Sequence, residues 1–228
     1  MNSEFVRAVR LTPLTFAVLV ATQAACGNDS STDPSKPGAM AAVSPDSQTT
    51  AAGVKMSQPL VVRVTGGGET PIAGTSVSWT IGTGGGSLSD TASTTDAEGL
   101  AQTTYTPGTV PATANVSANV GSLRTNFKVV LVAGPPAELL KFGSDNPAAV
   151  AGSKLTLSVK LADAFGNGIA DQTVTWSAAG GSISATTSTT DKGGVASVTY
   201  TLGADPGTYT LTATFEGVPA TAFSVKAI

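Results

Sequence analysis

The clearest hydrophobic rhythm in the chain has a period of two. Leu155, Leu157, Val159 and Leu161 alternate with Thr156, Ser158 and Lys160, the pattern of a strand with one face in a core and one in water. Val174 and Trp176 point inward from the next such segment. Ala196, Val198 and Tyr200 alternate again, followed by Tyr209, Leu211, Ala213 and Phe215, and then Phe223, Val225 and Ala227. A short strand is expected around Ile183, between Gly180-Gly181 and Asp191-Lys192-Gly193-Gly194. Helical periodicity is missing from everything beyond the N-terminus. Short strands broken by Gly, Pro and Asp predict an all-β antiparallel sandwich.

The pattern occurs twice. Thr94-Thr95-Asp96-Ala97-Glu98-Gly99-Leu100-Ala101 returns as Thr189-Thr190-Asp191-Lys192-Gly193-Gly194-Val195-Ala196, and Val77-Ser78-Trp79-Thr80 returns as Val174-Thr175-Trp176-Ser177. An interval of about 95 residues is a whole small domain, not a solenoid unit. The reading is two tandem sandwiches, residues 39–132 and 133–228, joined by the short proline-containing linker Val132-Ala133-Gly134-Pro135-Pro136-Ala137. Two consecutive prolines fix φ and remove two donors, so an extended, restrained junction is expected. The loops at Phe165 and Asp191 are expected to face the first domain, with the turns around Asp145, Gly180 and Asp205 at the other end.

The N-terminus is different in kind. Arg7 and Arg10 precede an apolar run from Leu11 to Thr22, too short to span a bilayer, and then Ala24 and Ala25 lead to Cys26, the only cysteine. This resembles a bacterial lipoprotein signal, with Gln23 where the family usually has an aliphatic residue. The resemblance implies cleavage after residue 25, a lipid on Cys26 and a place in the cell envelope, at the outer membrane or cell surface. Residues 26–38, polar and proline-broken, are expected to form a disordered tether.

Trp176 together with Asp205-Pro206-Gly207-Thr208-Tyr209-Thr210-Leu211 resembles the immunoglobulin frame, and the Thr-Thr-Asp-x-x-Gly run resembles the bacterial Ig-like domains of the invasin and intimin group. The resemblance implies that Trp79 and Trp176 are core pillars. It further implies that Leu157 and Leu211 stand in place of the disulfide cysteines, and that Tyr209 forms a tyrosine corner. The first repeat has Ala114 at the position of Tyr209 and a glycine-richer loop, Thr65-Gly66-Gly67-Gly68-Glu69-Thr70. It is expected to be the less stable of the two.

Candidate chemistry is sparse. The chain has no histidine, which excludes a Ser-His-Asp triad and His-ligated metal, and its single thiol sits at the lipoprotein cleavage position. A net charge of −3 with 12 bases against 15 acids gives nothing to neutralise phosphates, so nucleic acid is not an expected partner. Asp46, Asp90, Asp96, Asp163, Asp171, Asp191 and Asp205 fall mostly in predicted turns, where Asp bonds its own backbone. No dense acidic cluster marks the junction as a calcium site, and no cofactor is expected. Phe165, in a glycine-flanked loop, is the one aromatic placed for contact, and is expected to cap its own sandwich. These features point away from an enzyme and towards a lipid-anchored structural or adhesin-like module with a protein or glycan partner. The alternative is a carbohydrate- or peptide-binding accessory lipoprotein of an envelope enzyme or transporter.

Overall fold

A computed structural model describes residues 33–143 and 148–228. The signal segment, Cys26 and the turn at Asp145 lie outside the described residues.

The first sandwich comprises β1 (Ala39–Ala42), β2 (Ser47–Ala51), β3 (Leu60–Thr65), β4 (Ser76–Thr83), β5 (Ser87–Leu88), β6 (Ala92–Thr94), β7 (Leu100–Thr103), β8 (Tyr105–Thr106), β9 (Thr113–Val120) and β10 (Leu123–Val132). One sheet has the order β1-β3-β7 and the facing sheet β2-β10-β9-β4-β6, with β5 paired to β8. The second sandwich comprises β11 (Glu138–Phe142), β12 (Ala148–Ala149), β13 (Lys154–Ala162), β14 (Thr173–Ala179), β15 (Ser182–Ile183), β16 (Thr187–Thr189), β17 (Val195–Thr201), β18 (Gly207–Phe215) and β19 (Val218–Ala227). Its sheets run β11-β13-β17-β15 and β12-β19-β18-β14-β16. Each sandwich encloses its own hydrophobic cluster.

The pairing is antiparallel except at one edge of each sandwich. There β2 runs parallel to β10, and β12 parallel to β19. In the first domain the cause is a crossing: β1 pairs with β3 in one sheet, the chain passes Val43–Asp46, and β2 then joins the other sheet. Pro45, with no N–H to place, sits in this crossing. The strand alternation is blind to it, because parallel and antiparallel edges bury the same face.

Both cores are built alike. Trp79 lies 6.2 Å from Phe127 and Trp176 lies 6.5 Å from Phe223, ring centre to ring centre, and all four side chains are buried. Each indole N–H donates to a serine hydroxyl on the neighbouring edge strand, Ser93 or Ser188, at 2.8 Å. A buried indole needs such a partner. Tyr105 and Tyr200 are also fully buried, their hydroxyls donating to the carbonyls of Gly85 (2.6 Å) and Gly180 (2.7 Å). Burial raises both phenol pKa values, with Tyr209 contributing secondarily at Tyr200.

The repeated Thr-Thr-Asp-x-x-Gly run is a folding device. Thr95 and Thr190 are buried, and each hydroxyl donates at 2.7 Å to a carbonyl across the sandwich, Ile72 or Ile169. Asp96 Oδ1 accepts from the backbone N–H groups of Glu98 and Leu100, and Asp191 Oδ1 from those of Gly193 and Val195. Gly99 and Gly194 sit at φ +74° and +80°, and a methyl group on either would lie 2.5 Å from the carbonyl oxygen of Val64 or Leu161. Only glycine satisfies both the left-handed backbone and the close approach.

One boundary moves. Residues 33–38, expected to belong to the tether, are seated on the first domain. Asp33 accepts from the Ser35 amide and hydroxyl at 2.8 and 2.6 Å, which lowers its pKa. Gly67 N–H donates to the Asp33 carbonyl at 3.2 Å, and Gly38 N–H to that of Thr65 at 2.8 Å. Backbone pairing with the end of β3 orders a stretch whose side chains bury almost nothing.

Candidate functional site at the domain junction

The residues singled out for the immunoglobulin frame are placed within the domains. Leu157 on β13 and Leu211 on β18 are buried in the same core from opposite sheets. The Tyr209 hydroxyl donates to the Asp205 carbonyl at 2.8 Å, closing the turn ahead of β18. Tyr209→Phe is expected to cost the second domain about 1 kcal/mol, the usual worth of one such bond, read as a lower chemical-denaturation midpoint. In the first domain the matching position, Ala114, is buried and makes no such closure.

The polar construction with the most connections lies elsewhere, where β13 ends beside the linker. Asp163 is 1% exposed. Its Oδ1 accepts from the backbone N–H groups of Phe165 and Asn167, both at 2.9 Å. Its Oδ2 accepts from the linker amide of Gly134 at 2.8 Å and from Asn167 Nδ2 at 2.9 Å. Burial alone would raise the pKa of this carboxyl. The four hydrogen bonds outweigh burial and hold it below the usual value. All four described partners of the Asp163 carboxylate are N–H donors, a set that suits a carboxylate and that a cation would have to displace. Among the described residues no group of three or more His, Cys, Asp or Glu stands together.

The same turn reaches the first domain. Asn167 Nδ2 also donates to the Thr109 carbonyl at 2.8 Å. The Phe165 ring lies over Gly53, where a methyl group would stand 2.5 Å from the ring edge. Phe165 therefore docks on the neighbouring domain and does not cap its own sandwich, although 51% of it stays exposed. Around it, Ala52, Val54, Pro135 and Pro136 help to line an apolar cleft of about 230 Å³. Among the described residues Asp191 bonds within its own turn.

Comparing the two repeats was the signal that could have found this site. In the first domain Gly66, Gly68 and Thr70 occupy the positions of Asp163, Phe165 and Asn167. The frame is the same, with Gly66 N–H donating to Thr70 O at 2.8 Å as Asp163 N–H donates to Asn167 O at 3.0 Å. Only the second repeat carries the side chains that pin a linker and touch a neighbour.

A larger, shallow groove of about 630 Å³ crosses the outer face of the second domain, lined by Asp171, Gln172, Thr173, Thr175, Phe215 and Glu216. Its walls are mostly polar: threonines, Gln172 and two carboxylates, with Phe215 the one ring.

Residues 139–228 match the family described as bacterial Ig-like domain (group 1). The second sandwich is a bacterial Ig-like domain. No curated protein sequence matches the chain. Among solved structures, the chain is similar to FdeC, a broadly conserved Escherichia coli adhesin, at 19% identity and a TM-score of 0.52, covering 82% of this chain and 63% of that one. The Yersinia pseudotuberculosis adhesin InvE matches at 19% identity over 82% of this chain and 58% of that one, with a TM-score of 0.38. The D0-D1 domain of intimin matches at 22% identity over 81% and 96%, with a TM-score of 0.32. At 19% identity the likeness to FdeC is one of fold. The chain spans less than two thirds of the FdeC and InvE structures.

Proposed function

We propose that this protein is a surface spacer of the bacterial cell envelope, adhesin-like in build, whose second bacterial Ig-like domain is held in a defined relation to the first. The observation that carries the reading is the Asp163 turn. One carboxylate ties down both the linker, through Gly134, and the loop whose Phe165 and Asn167 touch the first domain. A chain that only needed two domains side by side would not require a buried carboxylate at their joint. The adhesin FdeC, similar in fold, supports the same class of role.

The accessory-lipoprotein alternative needs a ligand face. All five Trp and Tyr side chains are buried or half-buried, so none forms an open platform for a sugar ring. The groove from Asp171 to Glu216 offers one partly buried ring, Phe215. This favours the spacer.

The proposed attachment is a lipid on Cys26. Cys26→Ser is expected to move the protein from the membrane fraction to the soluble one, and protease added to intact cells should remove the wild-type domains. Mature protein with an unmodified Cys26 thiol would end the lipid-anchor proposal. Domains that resist protease on intact cells but not on broken ones would end the surface assignment.

A further inference from the structure

The five strands of the sheet β2-β10-β9-β4-β6 contain no Asp or Glu, in a chain with 15 acids against 12 bases. The outer face of this sheet carries two exposed cations from one strand, Arg124 and Lys128 of β10. Four residues apart on the same side, they stand about 13 Å from each other along an extended strand. Asn126 lies between them, and Asn115, Ser117 and Asn119 lie beside them on β9. The serines and threonines of β4 continue the polar face.

The guanidinium is held by neutral groups. Arg124 Nε donates to Asn126 Oδ1 at 3.0 Å, and Nη2 to Ser117 Oγ at 2.8 Å. Ser117, buried although it faces outward, donates in turn to Asn126 Oδ1 at 2.8 Å. Asn115 Nδ2 is fixed by Thr83 Oγ1 at 2.9 Å. An arginine fixed by a carboxylate spends its charge on that partner, whereas one fixed by an amide oxygen and a hydroxyl keeps it. Among the described residues neither Arg124 nor Lys128 forms an ion pair with Asp or Glu.

The matching face of the second domain lacks this set. Ala114 corresponds to Tyr209 and Phe127 to Phe223, so Asn115, Ser117 and Asn119 correspond to Thr210, Thr212 and Thr214, and Asn126 and Lys128 to Ala222 and Ser224. The two faces share one strand arrangement and differ in chemistry. The sandwich itself therefore does not require the amides or the arginine.

We infer that this face of the first domain binds an acidic polysaccharide whose carboxylates are separated by stretches of sugar hydroxyls. Arg124 takes one carboxylate and Lys128 another, while the amides and hydroxyls between them bond the intervening sugar. Two widely spaced cations with neutral donors between them suit sparse charge. A phosphate polymer, charged at every unit, would leave anions unpaired against Asn and Ser. The contact works by hydrogen bonds and needs no stacking platform, in keeping with the buried tryptophans. The inference goes beyond the spacer reading and does not depend on it.

The test titrates the full chain at low salt with hyaluronan oligosaccharides, in which acidic and neutral sugars alternate. The expected result is a saturable shift of the Asn115 and Asn126 side-chain amide resonances and of the Arg124 Nε–H, reversed by added salt. Arg124→Gln should weaken binding about tenfold, the worth of one hydrogen bond to a charged group. Arg124→Lys, which keeps the charge and loses the fork, should weaken it less. Lys128→Gln changes a side chain with no hydrogen bond among the described residues, so it should weaken binding and leave thermal unfolding where it was. Lys226→Gln, on the matching face of the second domain, should change nothing. Resonances indifferent to the sugar, or binding undiminished when Arg124→Gln and Lys128→Gln are combined, would overturn the inference. So would dextran binding as tightly, which would make the charges irrelevant, or polyphosphate binding more tightly, which would make the face a general polyanion patch.

Discussion

Trp176→Ala is expected to lower the stability of the second domain by about 3–5 kcal/mol, the usual cost of removing a large buried aromatic. The ring is 2% exposed, meets Phe223, and its N–H is satisfied by Ser188, so truncation opens a cavity and orphans that hydroxyl. Small domains have only about 5–15 kcal/mol in total, so the loss is a large share of the whole. The substitution also leaves Trp79 as the sole indole. Fluorescence then follows the first domain, and hydrogen exchange at the Asp191–Val195 turn follows the second. A second-domain midpoint within the effect of an ordinary surface change would show that this ring is not the pillar described.

The second large effect is expected at Asp163. Asp163→Ala leaves four donors, two of them from loop amides and one from the linker, without their acceptor. The expected cost is about 3 kcal/mol, since bonds to a charged acceptor are the stronger kind and abandoned donors add a desolvation penalty. The pH dependence follows from the lowered pKa of the native carboxyl. A group whose pKa falls on folding contributes its full stabilisation above the unfolded value, and the contribution is lost as pH falls through the native value. The gap between wild type and Asp163→Asn should therefore be constant from neutral pH down to the usual carboxylate range and close only in stronger acid. A gap that closed near neutrality, or no gap at all, would show that the carboxylate is not the fastener of the turn.

The two predictions rest on residues of different legibility. Trp176 announces itself: it alternates with Val174 and repeats as Trp79 beside Val77, and period-two burial is a property of one strand at a time. The Thr-Thr-Asp-x-x-Gly turns are visible for the same local reason, because Asp96 and Asp191 bond amides two and four residues ahead. Asp163 is readable only in part. Its turn is local, but its bond to Gly134 spans 29 residues and the one from Asn167 to Thr109 spans 58, and no periodicity encodes such distances. The placement of Phe165 fails for the same reason. A ring in a glycine-flanked loop has two apolar surfaces within reach, and the choice depends on the linker geometry that Asp163 enforces. The parallel edges β2 and β12 were hidden because burial alternation carries no direction.

Those edges decide how each domain would bear tension. Because β2 and β10 run the same way side by side, pulling the first domain apart by its ends draws the two strands past each other. The pairs from Ser47 with Lys128 to Ala51 with Val132 then share the load at once instead of parting one by one. In the second domain the described parallel contact is two pairs, Ala148 with Lys226 and Ala149 with Ala227. Thermal order and mechanical order need not agree. The domain without a tyrosine corner, expected from sequence to melt first, carries five parallel pairs that a stretching force must break together.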